Sequence, residues 1–142
     1  MKAYLSRRYH FSASHRLHSE QYDEARNREV FGKCNNPFGH GHNYVLQVTV
    51  SGPIDAETGM VCDLTALDAF ARTNVLERFD HTNLNTLDCF QDTVSTTENV
   101  SVQLYKIFEN FTAAHLESVH VEETSKNSFD YFHNELPAVG RI

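Results

Sequence analysis

Two stretches of alternating residues, separated by one long loop, constrain this chain more than any other feature. In residues 42–51, Tyr44, Leu46, Val48 and Val50 alternate with largely polar neighbours. A period of two marks a strand with one face turned to a core. Residues 3–16, rich in Tyr, Phe and Ser, behave alike, with Leu5, Tyr9, Phe11, Ala13 and His15 on one parity. Paired as a hairpin, these strands are joined by a loop from about His18 to Gly39. A loop that long inside a compact domain is usually functional.

The rest of the chain supplies two helices and a second hairpin. Asp63 is a candidate N-cap for a helix to about Arg78, with Leu64, Leu67, Phe70, Ala71 and Val75 on one face. Ser95-Thr96-Thr97-Glu98 fits a capping box, with Glu98 reaching back to the Ser95 amide. The helix that follows is expected to bury Val102, Tyr105, Phe108 and either Phe111 or Thr112. Residues 116–124 and 129–133 predict two closing strands around the turn Ser125-Lys126-Asn127. The order is strand, strand, helix, helix, strand, strand. It predicts an α+β class, a four-stranded antiparallel sheet with two helices on one face, in one domain spanning residues 1–142. An open sheet has two edges, which invite pairing between subunits.

Charge and cysteine content narrow the function classes. Twelve basic and nineteen acidic residues give a formal charge of −7, a poor basis for neutralising nucleic-acid phosphates. No apolar run approaches the roughly 18 residues of a membrane span. Lys2, Arg7 and Arg8 are not followed by the apolar core of a secretory signal. Cys34, Cys62 and Cys89 are an odd number without a pairing pattern, which reads as reduced thiols in a cytoplasmic protein.

Nine histidines are many for this length, and three of them converge in the expected fold. In His40-Gly41-His42, residues two apart on a strand point to the same face. His15 ends the first strand, and the hairpin brings it beside His40 and His42. A His-x-His pair alone is more often coincidence, but a third histidine placed by the same hairpin shifts the balance to a metal. Three neutral nitrogen donors with one open position are the pattern of catalytic zinc. No carboxylate stands at the spacing of a 2-His-1-carboxylate iron site. His10, His18, His115, His120 and His133 read as ordinary polar residues, with a supporting role left open for His18 because it stands close to His15 in sequence.

Further groups leave alternatives open. Cys34 lies in the loop beside Lys33, as a fourth metal ligand, a general base or an inert thiol. Cys62 and Cys89 read as core fillers. Asp80 next to His81 can fix an imidazole tautomer if a turn brings them together, or can cap a helix. Glu123 continues the parity of Val119 and Val121, either holding an amidine-like N–H pair or standing in water at a strand end.

Longer motifs add a resemblance. Residues 11–17, Phe-Ser-Ala-Ser-His-Arg-Leu, are followed by Phe31-Gly32-Lys33-Cys34-Asn35-Asn36-Pro37 and by Gly39-His40-Gly41-His42-Asn43-Tyr44. With them stand Gly59-Met60-Val61, Asp63-Leu64, residues 79–85 from Phe79 to Asn85, residues 94–100 from Val94 to Val100, and Glu123-Thr124-Ser125-Lys126-Asn127. Together these closely resemble the 6-pyruvoyl-tetrahydropterin synthase family, in register over nearly the whole chain.

The resemblance implies the tunnelling fold, in which ββααββ subunits form barrels and assemble as a homohexamer of two trimers with active sites between subunits. It implies Zn2+ on His15, His40 and His42, Cys34 as catalytic base, and Asp80 and His81 as partners in proton transfer. It implies Glu123 as the pterin anchor, helped by Thr96 and Thr97. The implied substrate is 7,8-dihydroneopterin triphosphate, converted by a lyase reaction to 6-pyruvoyl-tetrahydropterin with loss of triphosphate, for which Arg16 and Lys33 are candidate contacts. The redox change is internal, and no dinucleotide fingerprint is visible. The related 6-carboxy-tetrahydropterin synthases usually place the cysteine closer to the His-x-His pair, and a folate-feeding branch replaces it with Glu. A non-catalytic pterin-binding protein is a further alternative, against which Cys34, Asp80 and His81 speak. Phe38 departs from the polar residue common at its position.

Overall fold

The computed structural model describes residues 2–132; His133 lies outside them. Strand β1 (Lys2–His15) pairs antiparallel with β2 (His40–Pro53) without a slip, from Lys2 opposite Pro53 to His15 opposite His40. On the other side of β2 lies β4 (His115–Glu122), and beyond it β5 (Ser128–Tyr131), both antiparallel. A two-residue strand, β3 (Thr82–Asn83), runs parallel to the end of β1. Among the described residues the sheet therefore has five strands in the order β3-β1-β2-β4-β5, not four. Two residues cannot display a period, which is why β3 has no signature in the sequence.

The sheet has one apolar and one polar face. Phe11, Tyr44, Leu46, Val48, Val119 and Val121 are buried in one core with Leu67, Ala71, Val75, Phe79, Val100, Leu104 and Phe108. The helical residues come from α2 (Leu64–Ala71), a π-helical turn Arg72–Leu76, α3 (Glu77–Phe79) and α4 (Thr97–Phe108). Burying each such leucine, valine or phenylalanine contributes roughly 1.5–3 kcal/mol. The opposite face carries hydroxyls, amides and charges joined across the strands: Ser6 to Thr49, Arg8 to Gln47, Ser12 to Asn43 and His120 to Asp130. The mixed α+β class and the alternation of both long strands agree with the sequence pattern.

Three expectations need correction. The loop after β1 contains a helix, α1 (Glu24–Phe31), whose only buried residue is Asn27. A helix without an apolar stripe leaves no periodic signal; this one is held by the Asp23 carboxylate on the Arg26 amide and by the Asn27 amide on Ser19. Helix α4 is capped by Thr96, whose hydroxyl accepts from the Asn99 amide at 3.2 Å, and not by Ser95. Its buried face is correspondingly Val100, Ser101, Leu104, Tyr105 and Phe108, while Val102 is half-buried; Phe111 is buried and Thr112 exposed. The second strand begins at His40, two residues before the expected start at His42, because His40 pairs with His15.

Candidate metal centre

The uninterrupted β1–β2 ladder decides the geometry of the site. His15 is directly opposite His40, and Ala13 opposite His42, so the three imidazoles share the core side at one end of the sheet. Their ligand nitrogens all lie within 4.8 Å of one another. The rings stand nearly edge to face, with centroids 4.6 Å (His15–His40), 5.2 Å (His15–His42) and 4.9 Å (His40–His42) apart. Two glycines make room. A β-carbon on Gly39, at φ +72°, would meet the His15 carbonyl oxygen at 3.0 Å, and one on Gly41 would meet that of Ala13 at 3.3 Å. Side chains at these positions would push the ladder apart.

Two of the three imidazoles, His15 and His42, are held toward the neutral, ligating form. The Ser95 carbonyl can only accept, so its 2.6 Å contact with His15 Nδ1 places the proton there and leaves Nε2 as the lone-pair nitrogen. That Nε2 lies 3.0 Å from His40 Nε2. His42 Nε2 is buried without a hydrogen-bond partner, a cost that a bound cation would remove. Burial is the main cause holding both His15 and His42 below the usual histidine range, reinforced by the neighbouring imidazoles. The donor set fits a divalent metal with one coordination position left for a small molecule. Cys34 is not a member of the converging group.

The other expected groups come from separate segments. Glu123 follows β4, and its amide donates to the Asn127 carbonyl at 3.1 Å, so it closes the hairpin instead of fraying into water. Its side chain is 18% exposed; Oε2 accepts from the Thr97 hydroxyl, and Oε1 lies 4.0 Å from His42 Nε2. Burial, then the Glu123 carboxylate, pushes the buried Tyr44 hydroxyl well above its ordinary range. Thr97 is buried, whereas the Thr96 hydroxyl is engaged as the cap of α4. Cys34 sits half-buried on a 3-10 turn, Gly32–Asn35. The turn that Asp80-His81 requires is present. His81 adopts φ +56°, and its Nδ1 lies 3.1 Å from Asp80 Oδ2. Asp80 Oδ1 accepts from the Ser12 amide at 2.8 Å, and the His81 amide donates to the Ser12 carbonyl at 2.6 Å. The Ser12 N–H, aided by His81, holds the Asp80 carboxyl below the usual carboxylate range.

A profile of the family described as 6-pyruvoyl tetrahydropterin synthase matches residues 4–134. The chain belongs to this family. A curated Drosophila melanogaster relative, 6-pyruvoyl tetrahydrobiopterin synthase, is 47% identical over 135 residues, covering 91% of this chain and 79% of its own. A Homo sapiens relative of the same name is 45% identical over 132 residues, covering 92% and 91%. The solved Caenorhabditis elegans 6-pyruvoyl tetrahydropterin synthase superposes with a TM-score of 0.90 at 42% identity, covering 94% of this chain and 97% of that one. Among the described residues no helix is long and apolar enough to cross a membrane.

Three supporting residues escaped the sequence reading. Ser95, taken for a cap, orients His15 through its carbonyl. The Asn85 amide clamps the residue after His15, accepting from Arg16 N at 2.7 Å and donating to Arg16 O at 3.0 Å, and also donates to Ser95 Oγ at 3.1 Å. Asn35 ties the cysteine turn to the same stretch. Single polar residues in loops carry no periodicity, and only their burial reveals them.

Proposed function

We propose that this protein is a zinc-dependent lyase that converts 7,8-dihydroneopterin triphosphate to 6-pyruvoyl-tetrahydropterin with loss of triphosphate. The observation that carries the reading is the convergence of three imidazole donors, of which His42 has an orphaned nitrogen 4.0 Å from the partly buried Glu123 carboxylate. The high identity to relatives named for this activity supports it.

His15, His40 and His42 would hold the zinc. When bound, zinc supplies Lewis acidity, which makes C–H protons beside a polarised oxygen more acidic. The protein's own groups do the remaining work. Glu123, held by Thr97 and with Thr96 adjacent, accepts the amidine-like N–H pair of the pterin and sets its orientation. Cys34, as thiolate, takes a side-chain proton. Asp80 and His81, already in contact, pass protons to and from the reacting region. Triphosphate then leaves by elimination, with Arg16 and Lys33 as candidate cations to meet it. The exchange of oxidation level occurs within the substrate, so no redox cofactor enters. The assembly proposed with it, from the family resemblance, is a cytoplasmic homohexamer of two trimers whose sites lie between subunits; the edge strands β3 and β5 of the described sheet leave room for such pairing.

The test is product analysis after anaerobic mixing of zinc-loaded protein with dihydroneopterin triphosphate, beside a Cys34→Ala control. Pyruvoyl-tetrahydropterin without acetaldehyde is expected. Carboxy-tetrahydropterin with acetaldehyde would move the protein to the 6-carboxy branch, and unchanged substrate would leave only a pterin-binding protein.

A further inference from the structure

Cys34 belongs neither to the sheet nor to the histidine cluster, and no strand or long helix carries it. What ties it to the metal end is the segment Arg16–His18, which leaves β1 directly after His15. The Leu17 amide donates to the Cys34 carbonyl at 2.9 Å. On a paired strand the next rung would return from a backbone N–H. Here the Asn35 side chain supplies it, with Nδ2 donating to the Leu17 carbonyl at 2.7 Å. The same Nδ2 lies 3.2 Å from His18 Nδ1, and Arg16 Nε donates to the Asn35 carbonyl at 3.0 Å. Asn35 is 4% exposed, although it lies in a loop whose neighbours Lys33 and Asn36 are exposed. A polar side chain is buried in a surface loop only where its hydrogen bonds are made.

We propose that Asn35 is a positioning residue whose amide substitutes for a strand rung and locks the Cys34 turn onto the residues following His15. The chemistry requires an amide. Both partners, Leu17 O and His18 Nδ1, act as acceptors toward Nδ2, so His18 carries its proton on Nε2. Aspartate has the same shape but no N–H, and would set a negative charge against the Leu17 carbonyl. The inference rests on Cys34 being the proton acceptor of the proposed reaction. Its consequence is a split in the site: the amide governs where the thiol stands and leaves the metal and pterin groups alone.

The experiment compares zinc-loaded full-length wild type with Asn35→Asp and Asn35→Ala, checking zinc content and thermal unfolding first. Hydrogen exchange at the Leu17 amide reads the clasp directly and is expected to accelerate about tenfold, with β1 amides unchanged. Peptide-resolved alkylation by iodoacetamide is expected to speed up at Cys34 relative to Cys89. With dihydroneopterin triphosphate, kcat is expected to fall roughly 10–100-fold at nearly constant KM, as for a displaced catalytic group. Unaltered Leu17 exchange and Cys34 alkylation in folded variants would overturn the proposal, as would a raised KM with unchanged kcat, which would assign Asn35 to substrate binding. A Cys34→Ala control separates the two ideas. If it turns over normally, the reading of Cys34 as base fails, while faster Leu17 exchange in the Asn35 variants still upholds the clasp.

Discussion

The histidines and the remaining catalytic candidates occupy the same end of the sheet but are held there by different means. His15, His40 and His42 stand on a continuous antiparallel ladder, and their mutual placement follows from strand register. Cys34, Asp80 and His81 stand on short turns, each tied to β1 or its exit by a few bonds: Cys34 through Leu17, Asp80 and His81 through Ser12. A ladder distributes the cost of misplacing one residue over many backbone bonds. A turn concentrates it in one or two side chains. The strand-borne half should therefore fail outright only when a ligand itself is removed and weaken modestly when a support is lost, whereas the turn-borne half should be sensitive to substitutions that touch no substrate.

The largest effect separates the halves outright. His42→Ala is expected to lower metal affinity by more than the roughly 10–100-fold typical of losing an outer partner, with the fold kept, as measured by zinc titration and far-UV circular dichroism. Retained stoichiometric zinc at low concentration would break the assignment. Next comes Cys34→Ala, expected to slow turnover about 10²–10⁴-fold while zinc content stays at the wild-type level; parallel loss of zinc would mean that the thiol belongs to the metal half.

A residue that bridges the halves should show an intermediate effect. Asn85→Ala removes the clamp on Arg16 and the support of Ser95, whose carbonyl orients His15. Metal affinity is expected to drop about tenfold, read by competition with a chelator. An unchanged affinity would show that the ladder alone orients His15.

The smallest expected effect is in pH dependence. Asp80 has a folded pKa below its unfolded value, chiefly because of the Ser12 N–H and then His81. Such a group adds stability above its unfolded pKa, near ~3.9, and loses it as pH falls through the lower folded value. Thermal midpoints of metal-free wild type and Asp80→Asn should therefore differ at neutral pH and converge as the solution is acidified into that range. A constant gap down to low pH would remove Asp80 from the account.

This division also explains what could be read without coordinates. The parity of Tyr9, Phe11, Ala13 and His15 against that of Tyr44, Leu46, Val48 and Val50 announces a pleated sheet, and the histidines lie on the same pattern. Helix α1 is invisible because a solvated helix need not be amphipathic. Thr96 competes with Ser95 for the cap because both are good caps, and the choice falls to Thr96 where Ser95 is engaged inside by Asn85. Asp80 and His81 are adjacent in sequence, but only the left-handed backbone at His81 brings their side chains into contact.

The amino-acid sequence by itself determined the alternation of the two long strands, the three histidines that converge as candidate metal ligands, the hairpin that carries Glu123 and the family to which the chain belongs. These are properties of period and local spacing, and they survive any arrangement of the loops. The tertiary structure alone decided the fifth strand, the proton position on His15, the contact of Glu123 with Thr97, and the clasps of Asn35 and Asn85. Each of these depends on hydrogen bonds between residues distant along the chain, whose worth comes from burial, and burial does not exist until the fold has formed.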